Sequence, residues 1–146
     1  MIQIIGEAET STEATIDTFT DLKTALEDDT GDYKNIVTVY FTEDITQSAT
    51  PVTIPPSKTD VTIDGAFFTY TTAPDSYTNC ITVANPGTAA QEIKITMRNI
   101  DIVCNNWYGA MDCIDSNNYR NVTLAYHSVN LTGRQANYHR YGHVEY

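Results

Sequence analysis

Three aspartates and two arginines are the residues whose types best suit bond-breaking chemistry in this sequence. Asp101, Asp112 and Asp115 lie in one short stretch, with Arg98 and Arg120 nearby. Several carboxylates can together bind Ca²⁺, and the bound Ca²⁺ acidifies the proton beside a sugar carboxylate. An arginine can then remove that proton as a base. Asp112 and Asp115, however, are an odd number of positions apart, so on one strand they would point to opposite faces. We therefore expect solvated loop carboxylates, no catalytic residue and no metal site, and Ca²⁺ has no clear set of ligands.

Aromatic residues form the second candidate site, and the chemistry they suit is carbohydrate binding. The residues that we predict to contact a sugar are Trp107, Tyr108, Tyr119 and Tyr126, with Tyr138 and Tyr141 further along the chain. Trp and Tyr combine a large ring face, on which a sugar can stack, with a polar tip that can hydrogen-bond to it. The alternative is that these rings pack in loops and in the core.

Charge limits the class of partner. The net charge is −11, and residues 1–44 carry eleven acids against Lys23 and Lys34. Such a surface repels phosphate backbones and anionic membranes, so we expect no nucleic-acid partner. No apolar run approaches the length of a membrane-spanning helix, so we expect no membrane insertion. The odd number of cysteines (Cys80, Cys104 and Cys113) favours three small buried side chains, with one disulfide and a free thiol as the alternative.

One segment has the apolar period of a helix. Its stripe consists of Ile16, Phe19, Leu22, Ala25 and Leu26. This spacing predicts a helix over about residues 15–29. Thr15 or Asp17 can cap its start, and Gly31 is a candidate left-handed stop.

The rest of the chain is rich in threonine and tyrosine, which favour β-structure, and is divided by turn residues. The clearest strand segments are residues 36–41, 61–64, 93–97 and 122–126, and residues 1–14 begin with a short apolar run that predicts a first strand.

A repeat connects these segments. Residues 95–102 match residues 124–131 at a constant offset of 29, with apolar residues at four matched positions and Asn99 opposite Ser128 at a polar kink. Residues 79–82 match residues 112–115 at an offset of 33. Two looser correspondences lie upstream: residues 61–65 precede residues 93–95 by about 32 positions, and residues 36–38 precede residue 61 by roughly 25. Such a drifting period predicts parallel coils with loop insertions.

The predicted fold is therefore all-β: a right-handed parallel β-helix, a solenoid whose open N-terminal end the helix covers. We assign residues 1–34 to a lead-in and capping helix, and residues 35–146 to coils that are truncated at the C-terminus. A β-sandwich is the alternative, because short, regularly spaced strands also fit that fold.

With these elements in place, the chain resembles the pectate-lyase-like adhesive domains of bacterial surface proteins, within the pectate-lyase-like β-helix superfamily. The resemblance covers roughly residues 14–132, and the residues that carry it are 19–26, 35–37, 41–45, 52–55, 61–65 and 95–99, including Ile54-Pro55 and Ile63-Asp64-Gly65. It implies a cap and a β-helix displayed on a cell surface, often as one module of a larger protein.

The expected function is an extracellular adhesive or structural module without catalysis. A carbohydrate-binding or degenerate polysaccharide-cleaving β-helix is one alternative, and a self-assembling fibre subunit is another. The expected partner is a host surface glycan or protein, or neighbouring copies bound through an uncapped last coil. Because Tyr146 falls where a new coil should begin, we interpret the sequence as a recloned fragment, behind a new Met1, of a larger bacterial cell-surface protein.

Overall fold

Short strands with alternating apolar residues wind into a β-solenoid of about four turns, with a short helix near the N-terminus. A computed structural model describes residues 1–7, 10–74, 79–84, 92–113, 121–139 and 142–146. Its elements are β1 (Gln3–Ile5), β2 (Glu13–Ile16), α1 (Phe19–Glu27), β3 (Thr38–Phe41), β4 (Ile45–Thr46), β5 (Val52–Ile54), β6 (Asp60–Asp64), β7 (Thr69–Thr71), β8 (Ile81–Val83), β9 (Ile93–Cys104), β10 (Met111–Cys113), β11 (Val122–Gly133), β12 (Asn137–His139) and β13 (His143–Glu145). The predicted all-β parallel solenoid is confirmed.

Two parallel sheets form the walls of the solenoid. The larger has the order β1-β2-β3-β6-β9-β11-β13, with β4 and β7 joined to it through β9, and the smaller has the order β12-β10-β8-β5. Among the described strands, every pairing is parallel except that of β1 with β2. Inward side chains of successive coils stack into one apolar core, so each coil buries its face mainly against the next.

The start of α1 differs from the prediction. The helix begins at Phe19, because residues 13–16 form β2 and pair in parallel with β3. Its N-cap is Thr18, whose hydroxyl accepts a hydrogen bond from the Asp21 N–H at 3.1 Å. The predicted caps, Thr15 and Asp17, are wrong: Thr15 lies in the paired strand β2, and the helix begins one residue too late for Asp17 to cap it.

The end of α1 also differs. The predicted left-handed stop at Gly31 is wrong, since Gly31 does not adopt a positive φ. Asp28 is the C-cap: its N–H donates to the Thr24 carbonyl at 3.3 Å, and its carboxylate accepts from the N–H groups of Gly31 and Tyr33 at 2.6 and 2.8 Å. These backbone hydrogen bonds lower the pKa of Asp28, because they favour the charged carboxylate. The acid therefore stabilises the chain reversal that follows the helix.

Strand register confirms the principal repeat. Ile95 pairs with Leu124 and Ile102 with Leu131, at the predicted offset of 29. The predicted offset of 33 is wrong, because Met111 lies opposite Ile81, an offset of 30. Both of these side chains are fully buried, so burial of the apolar pair sets the register there. Residues 61–65 also pair two positions further along β9 than predicted, at an offset of 34.

Buried polar side chains line one corner inside the solenoid. The side-chain amide of Gln47 donates to the Asn79 carbonyl at 2.8 Å, and its oxygen accepts from the Tyr70 hydroxyl at 2.9 Å. In later coils, the Thr72 hydroxyl accepts from the Asn106 N–H at 3.1 Å, and the Asn106 amide donates to the same Asn79 carbonyl at 2.9 Å. These contacts satisfy groups that would otherwise destabilise a dry interior.

Lys58 joins the end of α1 to the first coil. Its side chain is buried, and Nζ donates to the carbonyls of Ala25, Tyr33 and Ile36 at 2.7, 3.2 and 2.8 Å. Burial lowers the pKa of Lys58 to about 8, although two nearby aspartates act in the opposite direction. The cap is thus held to the solenoid by an amine as well as by apolar packing.

Candidate functional site

Two of the carboxylates that the sequence grouped together, Asp101 and Asp112, lie on different sheets. Asp101 is exposed on β9, and its Oδ1 accepts from the Asn130 side chain at 2.8 Å. Asp112 is buried on β10, in the smaller sheet, so the expectation of a solvated loop carboxylate is wrong for Asp112. Asp115 and Arg120 lie outside the described residues.

The buried Asp112 contacts a thiol. Its side chain lies near Cys80, and burial together with this nearby carboxylate raises the pKa of Cys80 far above its ordinary value. A nucleophilic cysteine requires the opposite shift, since the thiolate is the reactive form. Cys80 and Asp112 therefore form a buried structural contact and have none of the features of a nucleophilic cysteine site. Cys80, Cys104 and Cys113 are all buried and form no disulfide with one another, as the interpretation of them as small core residues predicted.

Arg98 pairs with an acid that sequence reasoning did not select. Its Nε donates to Asp64 Oδ2 at 2.8 Å, and the Asn99 amide donates to both carboxylate oxygens at 3.2 and 3.3 Å. The Ala66 N–H donates to Oδ1 at 2.9 Å. This carboxylate already accepts hydrogen bonds from several donors, so it stabilises the turn between β6 and β7. Among the residues the structure describes, no group of three or more His, Cys, Asp or Glu side chains could hold a metal ion.

The predicted aromatic site is only partly assembled. Trp107 is 45% exposed and Tyr108 is half-buried, so both offer ring surface to solvent. Tyr126 is 4% exposed, and its hydroxyl donates to the Ala136 carbonyl at 3.1 Å. It is a core side chain, because it occupies the inward position that Met97 fills one coil earlier. Tyr119 lies outside the described residues.

Further residues extend the exposed aromatic pair. The Arg134 guanidinium lies over the Trp107 ring, 3.6 Å from its centroid, and the Gln135 amide donates to the Trp107 carbonyl. The rings of Tyr108 and Tyr138 stack with their centroids 4.5 Å apart. Cation–π and ring-stacking contacts of this kind hold the participating side chains in place.

These contacts border a groove at the last coil, which we call the terminal groove. It encloses about 550 Å³ and is lined by Leu131, Arg134, Gln135, Ala136, Asn137, Tyr138 and Tyr146. A neighbouring hollow of about 330 Å³ shares Leu131, Ala136 and Tyr146 with it. Tyr146 is 85% exposed, its ring stacks on Tyr126 with the centroids 5.7 Å apart, and its hydroxyl donates to Asn137 Oδ1 at 3.0 Å.

The lining of the terminal groove suits a sugar. Ring faces and Leu131 supply apolar surface, whereas a guanidinium, two amides and phenol hydroxyls supply hydrogen bonds. Sequence reasoning named Tyr138 but missed Arg134, Gln135 and Asn137. The signal that could have found them is the coil offset: Arg134 follows Trp107 by 27 residues, close to the offset of 26 that pairs Met111 with Asn137.

The fold and the sequence both agree with one family. A model of the pectate lyase-like adhesive domain matches residues 13–138, which is most of the chain. A search of curated proteins and a search of solved structures returned no match. No helix in the described part of the chain is long and apolar enough to cross a membrane. The chain therefore belongs to the pectate lyase-like adhesive domain family.

Proposed function

We propose that this chain is a non-catalytic adhesive module of a bacterial cell surface, and that it holds a host glycan in the terminal groove. The observation that carries the proposal is the combination, around one groove, of exposed rings with a guanidinium and two amides. The family match supports the adhesive role.

The groove is ordered by its own contacts before any ligand binds. Trp107 is held by Arg134 and Gln135, and Tyr138 is held by Tyr108. A sugar that stacks here does not have to immobilise these side chains, so less of the binding free energy is lost to ordering. The volume of the groove, about 550 Å³, lies in the range of small-ligand sites and suits about one or two sugar rings.

The absence of catalysis is part of the proposal and rests on the state of the acids. Asp64 is engaged by Arg98 and Asn99, and Asp112 by Cys80. A general acid or base must be free to exchange a proton with a bound substrate. Asp64 and Asp112 are both buried, so neither is presented to a substrate in solution.

Glycan-array binding followed by titration calorimetry tests the adhesive role. We expect Tyr138→Ala to weaken binding of the best glycan by about tenfold or more, because it removes a ring that lines the groove. Trp107→Ala should weaken it too, because it removes the ring that holds Arg134 in place. Arg134→Ala should also weaken it, whereas Lys34→Ala, which removes the same charge from an exposed loop, should not. Equal affinities for the two charge-removal variants would contradict the proposed location.

A polysaccharide-cleavage assay tests the non-catalytic half of the proposal. The unmodified chain is incubated with polygalacturonate, with and without Ca²⁺, and new unsaturated or reducing ends are measured. We expect none. Turnover that disappears in Arg98→Ala would instead favour a polysaccharide-cleaving β-helix. The surface location is tested separately, by labelling intact bacteria that produce the protein with an antibody against this domain.

End-to-end assembly is a second candidate function, favoured by the strand edges at the last coil. In the described part of the chain, β12 and β13 are the last strands of their sheets, and residues 129–133 of β11 pair only with β9. Unpaired edges are templates for pairing with another chain. Growth of the sedimentation coefficient with concentration would support this function, and a monomer at millimolar concentration would exclude it.

A further inference from the structure

One corner of the solenoid carries all four non-glycine residues with positive φ in the described part of the chain. They are Ala66 (47°), Phe67 (70°), Asn99 (49°) and Ser128 (54°). Asn99 and Ser128 are equivalent, because Arg98 pairs with His127 and Ile100 with Val129. They are the polar kink residues of the 29-residue repeat. A short polar side chain tolerates this backbone conformation, so these two positions are explained by the fold.

Phe67 is not explained in the same way. It sits in an insertion: Asp64 pairs with Arg98 and Thr69 with Asp101, so four residues, 65–68, stand where the next coil has only two. The later coils turn the same corner without these extra residues. A bulky aromatic residue at positive φ is an outlier. Phe67 is also 80% exposed, so neither backbone preference nor burial accounts for it.

The inserted turn is held rigidly by the coil beside it. The Phe67 N–H donates to the Asn99 carbonyl at 2.7 Å, and the Gly65 N–H donates to the Arg98 carbonyl at 2.9 Å. A Cβ at Gly65 would lie 2.5 Å from the Ile100 Cβ, so the turn lies directly against β9. The backbone that carries the Phe67 ring is thus held in place by β9. Backbone strain that is maintained by surrounding contacts is typical of recognition sites.

Carboxylates flank the turn that carries this ring. Asp44 Oδ1 accepts from the Thr69 N–H at 2.8 Å, and Asp101 pairs with Thr69 from the other side. Asp44 and Asp101 are both exposed, and so is Glu43. Two strand spacings separate Asp44 from Asp101, about 10 Å between Cα atoms. Arg98, at the same corner, is paired with Asp64, so the turn carries an exposed ring and has exposed carboxylates on both sides.

We propose that this corner, residues 64–69 with Asp44 and Asp101, is a contact site for a cationic segment of a partner protein. An arginine or lysine of the partner lies over the Phe67 ring, and neighbouring basic residues pair with Asp44 and Asp101. This site is separate from the terminal groove, and its existence does not depend on glycan binding there.

Nuclear magnetic resonance titration of the full chain tests the site. The probe is a capped hexapeptide of alternating arginine and glycine, with the same peptide carrying glutamate in place of arginine as the control. We expect shifts of the backbone amides of residues 43–44, 66–69 and 99–101 with the arginine peptide, and none with the glutamate peptide. Shifts spread instead over β1 and α1 would show non-specific attraction to the acidic N-terminal part and would overturn the proposal.

Two variants separate recognition from folding. Phe67→Asn places a residue that tolerates positive φ at this position, so the melting temperature should not fall. The affinity for the arginine peptide should fall by about fivefold or more, because the aromatic ring is lost. Asp101→Asn should weaken binding, and Asp32→Asn, which removes the same charge from an exposed distant loop, should not. A marked drop in the melting temperature of Phe67→Asn would assign the ring a structural role and overturn the proposal. Charge-independent binding of a neutral oligosaccharide at the corner would overturn it too.

Discussion

Replacement of Lys58 by methionine removes the buried amine that joins the end of α1 to the first coil. The three carbonyls that Nζ contacts, those of Ala25, Tyr33 and Ile36, then lose a donor inside the protein. Each buried acceptor left without a partner costs about 1–3 kcal/mol. Removal of the desolvated charge offsets part of this loss, so we expect a net destabilisation of about 3 kcal/mol at pH 7.

The pH dependence of this loss is the sharper prediction. The pKa of Lys58 is lowered by burial from 10.5 to about 8, so between pH 8 and 10.5 the unfolded chain binds more protons at this residue than the folded one. The contribution of Lys58 to the free energy of unfolding therefore rises with pH in that window and is lowest below pH 8. From pH 7 to 9.5 the rise is about 2 kcal/mol. The Lys58→Met variant lacks this titration, so its deficit relative to the natural chain should grow by that amount.

Urea denaturation followed by circular dichroism at pH 7 and pH 9.5 measures the deficit. Buried tyrosines and cysteines also titrate at high pH, but they are present in both chains and cancel in the difference. Lys34→Met serves as the control, because Lys34 is exposed, and its small effect should not change with pH. A Lys58→Met deficit that stays constant or shrinks at pH 9.5 would refute the reasoning.

Three further outcomes follow from the packing. Gly65→Ala should destabilise the chain by about 2 kcal/mol in urea denaturation, because the added methyl would lie 2.5 Å from the Ile100 Cβ; a neutral effect would mean that the corner can move. Asn106→Ala should lower the free energy of unfolding by about 2–3 kcal/mol, because the Asn106 side chain is fully buried and donates within the core. Asn105→Ala, at the adjacent exposed position, should lower it by less than about 0.5 kcal/mol. Burial raises the pKa of Cys113 to about 12, so a disulfide reagent at pH 8 should label it only after urea unfolds the chain, and fast labelling of the native protein would contradict its core position.

The repeat at an offset of 29 could be predicted because inward and outward positions alternate over two long strands, and a shift by one residue would expose every apolar side chain. The match at an offset of 33 failed because it rested on one Cys-Ile dipeptide, which is too short to specify register. In the structure, the buried pair of Met111 and Ile81 decides it.

The helix illustrates a second limit. Its apolar stripe was sufficient to predict that it exists, and Phe19, Leu22, Ala25 and Leu26 are all buried. Its ends were not predictable, since Thr15, Asp17 and Thr18 are all acceptable caps by residue type. The choice among them depends on the pairing of β2 with β3, which is a contact between residues 25 positions apart.

Residue types alone pointed to Trp107, Tyr108 and Tyr126 as aromatic candidates, whereas strand pairing places Tyr126 inward, opposite Met97. The sequence by itself thus determined the β-solenoid, its approximate period, its cap and the acidity of its N-terminal part, because these follow from local periodicity and composition. The tertiary structure decided which side chains meet: Lys58 with the end of α1, Asp112 with Cys80, and Arg134 with Trp107. In a solenoid, lateral neighbours are one coil apart, and coil lengths here vary with each loop insertion. The register that brings two residues together is set by the packing of whole coils and cannot be read from either residue.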